Sequence, residues 1–151
     1  AVQAVNKLCF RKDGFLYSEF ERLFTSLFEH SDTHVKIIRA IAHSKEGLSR
    51  KELIEKVKVT TGGTLHQRLL ELEAAGFLQT YVPYGNKRKD SFYRVVDEYV
   101  LFYLRWIEPI KRRGVISAKN YWQTKSKTAA ALAWAGYAFE IICLKHIEKN
   151  T

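Results

Sequence analysis

Thr64, His66, Gln67 and Arg68 follow one another closely in a stretch of helical character, and these are residue types that read base edges in a duplex groove. Further along, Lys87-Arg88-Lys89 set three cations in a row, with Arg94 beyond them. Clustered cations suit phosphate oxygens, which supply affinity and register while carrying little sequence information. Glu71 shares the side of Gln67 and would repel a phosphate, which weakens base reading there. Gly62-Gly63 permits close backbone approach and a helix N-terminus that favours an anion.

Motifs for other chemistry are missing. No Gly-x-x-x-x-Gly-Lys-Ser/Thr phosphate loop, Cys/His zinc quartet, nucleophile elbow or His-Glu-x-x-His string occurs. Cys143 and His146 share a predicted helix, but two ligands do not make a site. The expectation is therefore no catalytic residue, no metal and no cofactor in this chain, with Glu140 the single weak metal candidate. Cys9 and Cys143 are isolated thiols, which fits a reducing, cytoplasmic setting.

Composition narrows the partners. The 151 residues are 46% hydrophobic and 13% aromatic, enough for a packed core. A formal charge of +9 favours an acidic partner, nucleic acid before an anionic membrane surface. Between Asn86 and Lys127, 11 Lys and Arg stand against 4 Asp and Glu, an excess of +7. No run approaches the roughly 20 apolar residues that span a bilayer, and no secretory signal is evident, so no membrane partner is expected. Methionine is absent even at position 1, and both ends fall abruptly in structured segments; we expect a piece of a longer protein.

These side chains need elements to hold them. Leu16, Phe20, Leu23, Phe24, Leu27 and Phe28 are spaced for a helix over 18–29, with Ser18 and Glu21 as a capping box. A second helix is expected over 33–43, broken by Gly47. Ser49-Arg50-Lys51-Glu52 is another capping box, opening a short helix through Leu53, Ile54 and Val57. A third opens near Thr61 or Thr64 and closes at Gly76, with Leu65, Leu69 and Leu72 inward. Alternation over 78–82 and 92–96 predicts a hairpin with Gly85-Asn86-Lys87-Arg88-Lys89-Asp90 at its tip. Asp97 caps an apolar helix over 99–107 that Pro109 ends, a basic irregular connector covers 111–127, and a last helix covers 128–149. That last helix should pack Trp134, Tyr137 and Phe139 on the 99–107 helix or on another copy of the chain.

The fold class read from this pattern is mainly α with a small β-hairpin: a winged helix-turn-helix with flanking helices. Its segments are an N-terminal helical tail of a preceding domain (1–31), the winged helix (32–96), a buried helix and basic connector (97–127), and a C-terminal helix (128–151).

Several strings carry a family resemblance: Leu8-Cys9-Phe10-Arg11-Lys12-Asp13-Gly14, Gly62-Gly63-Thr64-Leu65, Leu72-Glu73-Ala74-Ala75-Gly76-Phe77, Asp97-Glu98-Tyr99 with Leu101-Phe102-Tyr103, and Trp134-Ala135-Gly136-Tyr137-Ala138-Phe139-Glu140. Together they resemble the archaeal and bacterial AAA-type P-loop ATPases whose C-terminal region was long catalogued as a domain of unknown function. The resemblance implies a parent with a nucleotide-hydrolysing domain ahead of this chain, a winged helix in the middle, and a restriction-endonuclease-like domain beginning near Ala133. It puts Glu140 at the early helical glutamate of such nucleases. The co-ligands are missing from this chain, so it is not expected to be an enzyme.

Two functions follow as expectations. In the first, the chain is a DNA-binding module that holds duplex DNA by its phosphates through Thr64, His66, Gln67, Arg68, Lys87, Arg88, Lys89 and Arg94. In the second, it is a regulatory module that packs on the parent's ATPase domain or forms a homodimer without binding DNA.

Overall fold

The computed structural model describes residues 1–58, 62–87, 91–113 and 121–149. Within them the chain is mainly helical, with a small antiparallel sheet of three strands. It divides into two compact units: Phe24–Val100 is one, and Ala1–Leu23 with Leu101–Thr151 is the other. The division falls inside two helices, so each lends residues to both units.

The central unit begins in the last turns of α2 (Phe15–Leu27) and continues through α3 (Asp32–Ala42), β1 (Leu48–Ser49), α4 (Arg50–Val57), α5 (Gly62–Ala74), β2 (Leu78–Tyr81) and β3 (Phe92–Val95). The strand order is β1-β3-β2. Leu78 pairs with Val95 and Tyr81 with Phe92, while Leu48 pairs with Tyr93 on the other edge of β3. The strand β1 was not expected, because two residues are too few to show an alternating pattern.

Local chemistry explains most boundaries of this unit. Ser49 Oγ accepts from the Glu52 amide at 3.2 Å and Glu52 Oε2 accepts from the Ser49 amide at 2.7 Å, the reciprocal pair expected at the start of α4. Lys58 closes that helix with a left-handed backbone, φ 50°. Beyond α5, Gly76 takes φ 85°, the Phe77 amide reaches back to the Leu72 carbonyl and the Gly76 amide to that of Glu73. This is a Schellman ending, which the glycine adopts without steric cost. Asp97 Oδ1 accepts from the Val100 amide at 2.8 Å and caps the next helix. The core is formed by Phe24, Ile37, Ile38, Ile41, Leu53, Leu65, Leu69 and Leu72, each almost fully buried.

The second unit holds α1 (Val2–Val5), a π-helical turn (Asn6–Phe10), the first turns of α2, and, after α6 (Glu98–Phe102), a second π-helical turn (Tyr103–Ile107), α7 (Glu108–Arg113), α8 (Tyr121–Lys125) and α9 (Ala129–Lys149). Three expectations are corrected here. Ser18 and Glu21 do not cap α2, which starts three residues earlier behind Gly14; Glu21 instead accepts from the Tyr103 hydroxyl at 3.1 Å. Pro109 does not end its helix: the Glu108 amide bonds the Tyr103 carbonyl five residues back. That widened turn moves aside the carbonyls that a proline ring would strike. The connector is not irregular throughout either, since α8 folds within it and the Trp122 amide donates to Asn6 Oδ1 at 3.1 Å.

An aromatic cluster occupies the core of this unit. Phe10 stacks on Trp122 with centroids 5.5 Å apart, Trp106 meets Trp122 edge-on at 5.6 Å, and Trp134 of α9 meets Phe102 at 5.8 Å and Trp106 at 6.1 Å. Thr128 caps α9 by accepting from the Ala131 amide. The rest of α9 is poorly covered, with Leu132, Phe139 and Ile147 exposed. By length and composition Ala129–Ile147, 19 residues at mean hydropathy 1.2 and 11% buried, is long and apolar enough to cross a bilayer. This departs from the expectation that no run would qualify: alanine and glycine fill the spaces between its large apolar residues, so no single stretch stood out.

Candidate nucleic-acid interface

The structure places Thr64, His66, Gln67 and Arg68 together on the N-terminal half of α5. Leu65, Leu69 and Leu72 turn inward at helical spacing, and the exposed side is left to His66, Gln67, Leu70, Glu73 and Ala74. Thr64 is half-buried. This surface is leaner in donors than the sequence suggested, because Leu70 and Ala74 are apolar and Glu73 is an acid engaged by the Thr80 hydroxyl at 3.1 Å.

Arg68 does not extend freely from α5. Its NH1 donates to Glu71 at 2.9 and 3.3 Å, and Gln67 Nε2 donates to the same carboxylate at 3.2 Å. Glu71 is itself fixed from below. His34 of α3 is fully buried, and its Nε2 lies 2.5 Å from Glu71 Oε2. Phe28 stacks on the His34 ring at 4.1 Å. The hydrogen bond from His34, joined by those from Gln67 and Arg68, holds the Glu71 carboxyl below its ordinary range against the opposing effect of burial. An ionised carboxylate only accepts, so His34 Nε2 carries the proton. Sequence reading missed His34 because its partner lies 37 residues away.

A recess of about 550 Å³ opens beside this network, lined by Leu27, Phe28, Glu29, His30, Arg68, Glu71, Ala74 and Ala75. Its walls combine apolar surface with an ion pair already satisfied internally. His66 has Arg50 at 3.5 Å from its Nδ1.

On the hairpin, Lys87 is exposed, while Arg88 and Lys89 lie outside the described residues. Arg94 sits on β3 and not at the tip. Its guanidinium donates to Gln79 Oε1 at 2.8 and 3.2 Å and stacks 4.8 Å above the Tyr81 ring. The Tyr81 hydroxyl in turn donates to the Glu46 backbone carbonyl. Arg94 thus stiffens the strand pair, the cross-strand role that its register opposite Gln79 provides.

Glu140 is exposed on α9, and among the described residues no group of three His, Cys, Asp or Glu side chains gathers where a cation could be held. Cys9 is buried, which pushes its thiol up to about 11.

Charge is divided unequally between the units. Residues 24–100 carry 12 Lys and Arg against 10 Asp and Glu, an excess of +2, while the other unit carries 13 against 6, an excess of +7. No family model, curated protein or solved structure matches the chain.

Proposed function

We propose that residues 32–96 form a winged helix-turn-helix that holds duplex DNA mainly through its phosphates. The observation that carries this reading is the order of elements, helix–strand–helix–helix–strand–strand, with the sheet arranged β1-β3-β2. That layout matches a winged helix in which α4 and α5 are the helix pair and the β2–β3 loop is the wing. It leaves His66 and Gln67 on the outer side of α5, and Lys87 on the loop. Phosphate contact by Lys87, Arg88 and Lys89 then supplies affinity, and α5 adds weak sequence preference. The strings quoted above extend the proposal to a parent AAA-type P-loop ATPase, cytoplasmic, in which this chain supplies binding and other domains supply catalysis.

A regulatory reading is favoured by one observation: Leu70 and Ala74 give the outer face of α5 an apolar centre, which suits protein better than a groove of base edges. One experiment separates the two. Duplex binding by the full chain is titrated with salt, beside the variant K87A/R88A/K89A. A DNA module loses affinity steeply with salt, about 0.9 decade per decade of salt for each phosphate contact, and the triple variant flattens that slope by about 2.7. Absence of duplex binding at low salt, or a slope indifferent to the triple substitution, rejects the DNA reading in favour of a protein partner.

A further inference from the structure

The arginines of the central unit discussed above are engaged within it: Arg68 on Glu71, Arg94 on Gln79, and Arg50 near His66. The second unit differs. There Lys111 lies 3.4 Å from Glu21 and Arg112 lies 3.2 Å from Glu108, so the two acids nearest α7 are taken. Arg105, Arg113 and Lys125 have no carboxylate partner among the described residues.

Two of these cations meet the same indole. Arg105 lies 4.5 Å and Lys125 5.9 Å from the Trp106 ring centroid. Tyr121, at the start of α8, is half-buried, which raises its phenol, and the nearby Arg113 and Arg105 pull that value back down. Phe10 ties Tyr121 and Trp122 together, at 4.8 and 5.5 Å. A guanidinium stacked on an indole loses less freedom when it binds a phosphate, since part of its ordering has already occurred.

We propose that Arg105 and Lys125, both beside the Trp106 ring, together with the exposed Arg113 at the end of α7, form a second phosphate-binding surface for the backbone of duplex DNA. It shares its ligand with the reading above but none of its residues. The unit's excess of +7 supplies the surrounding field. An anionic lipid surface offers the same charge. Duplex DNA is favoured because Arg105 and Lys125 are held against one buried indole, which suits discrete phosphates, whereas lipid attraction requires only a flexible polybasic run.

The test uses the full chain and compares R105Q/R113Q/K125Q, the single variant R113Q and K87A/R88A/K89A with the parent sequence. Binding to a labelled duplex, to a single strand of equal length, and to vesicles of phosphatidylcholine with phosphatidylserine is measured between about 50 and 200 mM salt. Removing three phosphate contacts lowers the duplex salt slope by about 2.7 and weakens binding on the order of 100-fold near 0.1 M salt. R113Q, an exposed substitution that disturbs no packing, lowers the slope by about 0.9. The duplex is expected to bind more tightly than the single strand, and any vesicle binding, for which the exposed apolar side of α9 gives a route, to be the same in the glutamine variants as in the parent.

Unchanged slopes in both glutamine variants overturn the inference, and if the wing variant alone loses affinity the winged-helix reading stands without it. Loss in the glutamine variants with an unaffected wing variant supports the inference while rejecting that reading. Tighter binding of the single strand, binding to vesicles without binding to duplex, or binding to neither, overturns it.

Discussion

Replacing Glu71 tests the network that fixes α5 to α3. In Glu71→Ala, three donors lose their acceptor: His34 Nε2 at 2.5 Å, Arg68 NH1 at 2.9 Å and Gln67 Nε2 at 3.2 Å. Arg68 and Gln67 reach solvent, so each contact counts as a helical side-chain pair of about 0.2–0.5 kcal/mol. His34 does not reach solvent, being fully buried. Its stranded N–H costs about 1–3 kcal/mol, which makes it the dominant loss. The expected destabilisation is about 1.4–4 kcal/mol, read by urea unfolding at neutral pH with an unchanged m-value. Glu71→Gln keeps an acceptor for His34 without its charge and should lose less, about 1 kcal/mol.

Acid gives an independent reading of the same contact. The Glu71 carboxyl is held below its ordinary range, chiefly by His34. A depressed carboxyl contributes stability that is fully present above its unfolded value and is lost as pH falls through the folded value. The parent chain should therefore lose its advantage over Glu71→Gln on acidification below the ordinary glutamate range, and the two should converge. Should Glu71→Ala and Glu71→Gln both unfold within about 0.5 kcal/mol of the parent at neutral pH, the spread of ordinary surface changes, the claim that His34 depends on Glu71 is wrong.

Two further outcomes are expected. Gly47→Ala places a Cβ 2.2 Å from the Tyr93 carbonyl oxygen at a residue with φ 80°, so the β1–β3 pairing should come apart at a cost of several kcal/mol; unfolding of the purified variant measures this, and an unperturbed midpoint contradicts the geometry. Burial raises the Cys9 thiol to about 11, so near pH 8 it should resist a thiol reagent in the folded chain and react once the chain is unfolded in urea; prompt labelling at Cys9 under native conditions contradicts its burial.

What the sequence disclosed depended on how far apart the interacting residues lie. The Ser49–Glu52 box and the Gly76 ending were legible because each is complete within a few residues. The hairpin strands were legible from their alternation, and α3, α4 and α5 from leucine and isoleucine spacing. β1 was hidden, because its identity comes from Tyr93 and Phe92 across the sheet and not from Leu48 and Ser49 themselves. The continuation past Pro109 was hidden because the proline's usual effect is cancelled by a π turn that leaves no mark in residue types. Among the candidate site residues, position was readable and availability was not. Spacing put Gln67 and Arg68 on α5, but only His34, a distant residue, accounts for how firmly Glu71 holds them.

That pairing governs how selective the proposed DNA contact can be. A well-made bidentate contact to a base is worth about 1–3 kcal/mol of discrimination, and arginine is its commonest source. For Arg68 to make one it must first leave Glu71, whose ionised state is reinforced by His34, so part of any gain is spent in breaking the existing pair. Gln67 faces the same competition at 3.2 Å. Neither His66 nor Thr64 can make the bidentate fork of an arginine. Among the described residues no carboxylate competes at Arg105, Arg113 and Lys125, and the phosphate contacts proposed there would be indifferent to sequence. On the proposed reading, affinity and selectivity would reside on different side chains: substitutions in the second unit should shift binding to all duplexes alike, while freeing Arg68 by Glu71→Gln should widen the spread between duplexes of different sequence. A spread that stays narrow in Glu71→Gln, with folding intact, shows that the outer face of α5 never meets the bases.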